Sequence, residues 1–146
     1  MFSNLGIARR AATVLAVSSG VIALSATAAL AAGPSATVSP ASGLASGQSV
    51  TVSGSGFPGG ATIGAVECNT FTDPATASCD VTDSRTTTAD ASGSFTLQLT
   101  VVSSFSGVNP ANGGQPAGAV DCSAAGCTVY VGTDTGISVP VAVSFQ

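Results

Sequence analysis

The chain has 146 residues, a formal net charge of −4 and 7% charged side chains; it contains no histidine, and its only cations are Arg9, Arg10 and Arg85. Without histidine or lysine it can build no Ser-His-Asp triad, no Cys-His pair and no Schiff-base amine, so it is not expected to be an enzyme. Its acidic balance repels the phosphate backbone, whose neutralisation by Lys and Arg supplies most nucleic-acid affinity, so direct DNA binding is not expected either.

Residues 1–31 place Arg9 and Arg10 before an uncharged Ala- and Val-rich run that closes with Ala29-Leu30-Ala31, just ahead of Pro34. This is the order of a secretory signal peptide with an A-x-A cleavage site. The stretch from Ala11 to Ala32 approaches bilayer length, which leaves a membrane anchor as the alternative, but Ser18, Ser19, Gly20, Ser25 and Thr27 dilute it. Ala-Arg-Arg-Ala-Ala lacks most of a twin-arginine export motif. The expectation is a secreted, extracellular, monomeric domain over 32–146 with no stable membrane association. Loss of Arg9 and Arg10 leaves Arg85 alone against seven carboxylates and takes the net charge from −4 to −6.

Within 32–146 the pattern is that of strands. Ser35–Val38 is followed by the turn-rich "ASGLASG", and "QSVTVSGSGF" sets Val50 and Val52 on one face. Phe57, before Pro58-Gly59-Gly60, reads as a strand-end plug. Thr62–Cys68 and Arg85–Thr88 come next, then the turn "ADASG" and the alternation Phe95, Leu97, Leu99, Val101. "NPANGG" is a further turn; Ala117–Cys122, Cys127–Gly132 and the alternation Val139, Val141, Val143, Phe145 complete the chain. Period-two patterning means one buried face per strand, with Phe95 and Phe145 in the core. The fold class is all-β, an antiparallel sandwich, Ig-like in architecture but without tryptophan.

The carboxylates offer two pairs of glycosidase type, Glu67 with Asp73 and Asp80 with Asp83, but their Ser/Thr/Asp-rich surroundings read as solvated turns. "DVTDSRTTTADASGS" lacks the acidic spacing and closing glutamate of an EF-hand, and no metal site is expected. Cys68, Cys79, Cys122 and Cys127 allow three pairings, among which sequence does not choose; their grouping favours local bridges Cys68–Cys79 and Cys122–Cys127. In the chain-entropy model each such bridge contributes roughly 2 to 3 kcal/mol.

"ATVSPASGLASGQSVTVSGSGF", the short Cys68–Cys79 loop, "TTTADASGSF", "VSSF", "GAVDCSAAGC" and the closing "VAVSFQ" follow one another in an order that resembles the neocarzinostatin family of enediyne chromoproteins. The resemblance spans nearly all of 32–146. It implies a seven-stranded Ig-like sandwich with two local disulfides and a cleft beside the first of them. It also implies that the protein needs no cofactor of its own. An enediyne chromophore would be held there non-covalently, protected and delivered, and contact with DNA would come only through the released chromophore.

Carried over position by position, the resemblance puts Thr70 where the family has a cleft-lining tryptophan, with Phe71 directly after it. Ala77 stands for an aliphatic residue and Pro110 for an aromatic one. Phe105 matches a family phenylalanine, with Val108 in the segment it opens. Polar cleft positions fall on Thr128 and Gly132, and strand alternation puts Tyr130 on their face. The ligand set expected for an apolar aromatic small molecule is thus Thr70, Phe71, Phe105, Val108, Thr128, Tyr130 and Gly132. For Phe71 and Phe105, simple packing is the competing role, and for Tyr130 a hydrogen bond at the sandwich edge. A secreted structural or interaction module is the alternative to a carrier.

Overall fold

A computed structural model describes residues 32–146; the expected signal peptide over 1–31 lies outside them. Nine strands form two antiparallel sheets: β1 (Ser35–Ser39), β2 (Gln48–Ser55), β3 (Thr62–Cys68), β4 (Cys79–Thr88), β5 (Phe95–Val101), β6 (Ser104–Asn109), β7 (Gln115–Asp121), β8 (Cys127–Thr133) and β9 (Ser138–Val143). The sheet orders are β1-β2-β5 and β7-β6-β4-β3-β8-β9.

The all-β sandwich is the expected class; to the eight strand segments read from the sequence the structure adds one, β6, and it extends another, β4. Ser104–Asn109 has the unpatterned sequence SFSGVN, yet it pairs with β7 from Ser104↔Asp121 to Asn109↔Gln115. β4 begins at Cys79 rather than Arg85 because its first half carries a bulge instead of a period. Ala65 faces Arg85 across β3–β4 and Glu67 faces Asp80, so the four residues Val81–Ser84 stand opposite Val66 alone.

Between the sheets, alternation delivers the core. Val50, Val52, Leu99 and Val101 from one sheet meet Ile63, Ala65, Val129 and Val131 from the other, all buried. Each of the Val, Leu and Ile side chains contributes about 1.5 to 3 kcal/mol on burial. Phe57 packs edge-to-face on Phe95 with centroids 5.4 Å apart, plugging one end as its strand-end position predicts. Leu44, read as part of a turn, is fully buried and bridges to Phe145, itself half-buried against the core.

Both disulfides are local, Cys68–Cys79 and Cys122–Cys127, and no cysteine is free.

Candidate functional site

Because β3 and β8 turn one set of alternating side chains into the core, the other set faces outward. Cross-strand pairing sets Gly64 beside Gly132, Val66 beside Tyr130 and Cys68 beside Thr128. The first two pairs form the floor of an open groove of about 1000 Å³ on the outer face of the six-stranded sheet. Val81 and Ser84, from the β4 bulge, and Pro110 with Ala111 form one wall. The β8–β9 turn, with Asp134 and Ile137, forms the other.

Gly132 has a structural duty here. A Cβ at this position would collide with the Ile137 carbonyl oxygen, so closure of the β8–β9 hairpin requires glycine. Gly64, by contrast, has only the Gly132 oxygen at 4.0 Å near its missing Cβ. The two glycines leave the floor flat and unfilled.

At the disulfide end a second small apolar cluster forms from Cys68, Cys79 and Ala77, with Val66, Phe71 and Tyr130 packed on it. Phe71 stacks on Tyr130 at 4.6 Å between centroids and 21° between planes. The Thr70 and Thr128 hydroxyls lie 3.0 Å apart, and Thr128 is buried. The structure therefore brings Thr70, Phe71, Thr128 and Tyr130 together, and Gly132 continues their face into the groove. Val108 pairs with Cys79 across β4–β6, beside the same disulfide. Phe105 is set apart from this group: it is half-buried and packs against the core between the sheets.

Residues outside the expected set hold the site in shape. Asn109, only 5% exposed, donates its side-chain amide to the carbonyls of Pro74 (3.1 Å) and Ala75 (2.8 Å). Its Oδ1 accepts from the backbone N–H groups of Ala111 and Asn112. It thus clasps the short 3₁₀ turn Pro110–Asn112, part of the groove wall, to the turn Pro74–Thr76. Asn69 closes the loop bearing Phe71 by donating to Thr76 O and accepting from Ser78 N. The Asn-Pro dipeptide signals a turn, but nothing local signals its distant partners. Val81, the one large hydrophobic side chain left exposed among the described residues, sits on the groove lip.

Two carboxylates differ from their reading as solvated turn residues. Glu67, 2% exposed, points into the sandwich, where its Oε2 accepts from Val102 N at 2.8 Å. Its inward parity with Ile63 and Ala65 explains the burial. Removal from water, reinforced by the neighbouring Asp80 and Asp83, pushes its pKa to about 7. Asp80 is buried too, accepting from Thr82 N at 3.1 Å. Glu67 lies close to Cys122 and Cys127, but those sulfurs are bonded to each other and are not available as thiolate ligands.

A model of the neocarzinostatin family matches residues 36–145. The chain belongs to that family. Macromomycin of Streptomyces macromomyceticus is 42% identical over 73 residues, and this neocarzinostatin-family chain spans about half the length of that curated relative, the match covering 50% of each. The solved structure of macromomycin superposes with a TM-score of 0.70 at 41% identity, covering 77% of this chain and 99% of the other. The solution conformation of apokedarcidin superposes with a TM-score of 0.61 at 36% identity, covering 79% and 100%. The two-disulfide sandwich described above is thus a neocarzinostatin-family fold, and the outer-face groove is a feature of a family member.

Proposed function

We propose that this chain is a secreted, monomeric carrier apoprotein whose groove holds an apolar aromatic small molecule of the enediyne chromophore type without a covalent bond. The protein shields the reactive cargo and releases it; any damage to DNA is done by the cargo. The single observation that supports this most is the groove itself: a concavity of about 1000 Å³, at the upper end of ligand-site volumes, with an aromatic stack at the end of its glycine floor. A face on the stack contributes roughly 2 to 3 kcal/mol per large ring before the entropy of binding is counted. The floor glycines leave room for a broad ring system, so affinity for a simple naphthoate- or flavone-like probe should be micromolar.

Titration of such a probe with NMR shift mapping tests the reading. Shifts are expected at Thr70, Phe71, Thr128, Tyr130 and Gly132, and at the lip residues Val81 and Ala111. If they stay unmoved at high probe concentration, the carrier reading fails and a secreted structural module remains.

A further inference from the structure

Glu67 plays no part in the groove, yet it occupies a chemically distinctive position. From the inner face of β3 its Oε2 holds Val102 N, in the short link between β5 and β6, while its Oε1 lies 3.9 Å from Cys122 Sγ. The same link accepts from the other side, with Cys122 N donating to Ser103 O at 2.8 Å. One buried carboxyl therefore touches the sheet crossover and a disulfide sulfur together. A disulfide sulfur carries no proton, so a proton between these atoms belongs to the carboxylic acid.

We propose that Glu67 is the proton relay of a thiol–disulfide exchange at Cys122–Cys127, which makes that bridge, and not Cys68–Cys79, the redox-labile one of the pair. The co-reactant is a low-molecular-weight thiol. Its thiolate attacks Cys127 Sγ, forming a mixed disulfide; the Cys127–Cys122 S–S bond breaks, and its electron pair leaves on Cys122 Sγ. The Glu67 acid gives its proton to that sulfur and becomes the carboxylate. A second thiolate resolves the mixed disulfide and releases Cys127 as the leaving thiolate, which takes a proton from solvent. Overall two small thiols are oxidised to their disulfide and the bridge is reduced to two cysteine thiols.

The access side fits this order. Both cysteines are buried, but the turn between them, Ser123–Ala125, is exposed, so that turn is the side from which a small thiol would approach the bridge. The charged groups facing Glu67 come from β4: Asp80, paired with it in register, and Asp83, which lies 3.9 Å from Arg85. The β5–β6 link and β8 present Val102 and Val129, which do not titrate. Asp121, near Cys122 in sequence, turns outward onto Ser123. Glu67 and Asp80 adjoin Cys68 and Cys79 along β3 and β4, but strand alternation turns their side chains to the opposite face from that bridge, whose apolar packing partners are Ala77, Val66, Phe71 and Tyr130. With the proton on Glu67 lost around neutral pH, the relay works below that point and fails above it.

The test follows both bridges in one protein. Folded protein is treated with dithiothreitol between about pH 5 and pH 9, quenched by alkylation and mapped by mass spectrometry, with each rate divided by the thiolate fraction of the reagent. The corrected rate at Cys122–Cys127 should fall about tenfold from pH 6 to pH 8, while that at Cys68–Cys79 stays level. Destabilisation at the higher pH would raise both rates, so it cannot produce such a fall. Glu67→Gln should remove the step and hold the rate near the wild-type value at pH 8. Should that variant not fold, the wild-type comparison decides alone. Parallel profiles for the two bridges, or loss of both together at the rate of global unfolding, would overturn the proposal.

Discussion

Phe71 lies flat on Tyr130, 4.6 Å ring to ring, and by doing so joins the Cys68–Cys79 loop to the groove floor on β8. The contact gives each ring an apolar neighbour on one face, while Tyr130 still lines the groove.

Removing either ring should therefore weaken both binding and folding. Tyr130→Ala or Phe71→Ala is expected to weaken a naphthoate-like probe about tenfold or more, with a stability loss of about 1 to 3 kcal/mol. Isothermal titration and urea unfolding read the two quantities separately. An unchanged dissociation constant in both variants would remove the stack from the site.

The two floor glycines should part company. Gly132→Ala forces a Cβ into the Ile137 carbonyl and is expected to cost several kcal/mol or prevent folding. Gly64→Val adds bulk where a Cβ meets no close neighbour and suits a strand, so the protein should fold normally and bind the probe poorly. Normal probe affinity in a well-folded Gly64→Val protein would show that the ligand does not reach this end of the groove.

Asn109→Ala breaks the clasp between the two 3₁₀ turns and strands the Pro74 and Ala75 carbonyls. A loss of about 2 to 4 kcal/mol is expected, with faster amide exchange at Ala111 and Asn112. Asn109→Asp keeps the acceptor for those two amides and loses only the donors. It should thus protect Ala111 while freeing the Pro74 turn.

Stability should peak in mildly acidic solution. Glu67 has its pKa raised from 4.5 to about 7 by folding, so its contribution is complete below 4.5 and is lost as pH rises through 7, by roughly 3 kcal/mol at most. Asp90 and Asp121 have theirs lowered from 3.8, chiefly by Ser92 and Ser123 respectively, and so lose stabilisation as pH falls below the ordinary aspartate range. Thermal melts across pH 3 to 9 should show both limbs, and Glu67→Gln should flatten the upper one. An upper limb unaltered in that variant would assign it to another group.

The apoprotein should show no salt-sensitive affinity for duplex DNA, since Arg85 is the only cation of residues 32–146 and seven carboxylates oppose it. A complex that tightens steeply as salt is lowered, measured by fluorescence anisotropy with labelled DNA, would contradict this.

What the sequence reveals is governed by how local the signal is. Val50 with Val52, and Leu99 with Val101, announce their strands because each buried face is written in every second residue. The same parity correctly puts Thr128, Tyr130 and Gly132 on one face of β8. β6 escapes notice because SFSGVN has no period, and its strand character comes from pairing with β7. Phe105 illustrates a different limit: a family position gives the residue type but not the face, and here the ring turns to the core. Glu67 was legible in principle, since it shares the inward parity of Ile63 and Ala65, but its acidic side chain suggests solvent. The Asn109 clasp joins residues more than thirty positions apart and leaves no trace in any short window.

The unequal pairing at the β4 bulge has an evolutionary consequence. Four residues there answer to one on β3, so the lip they form is released from the period that binds the rest of the strand. A change of length between Val81 and Ser84 would fall between the Glu67↔Asp80 and Ala65↔Arg85 pairs, where no residue of β4 is held in register. Descendants of such a chain could therefore resize the mouth of the groove while inheriting the sandwich unchanged.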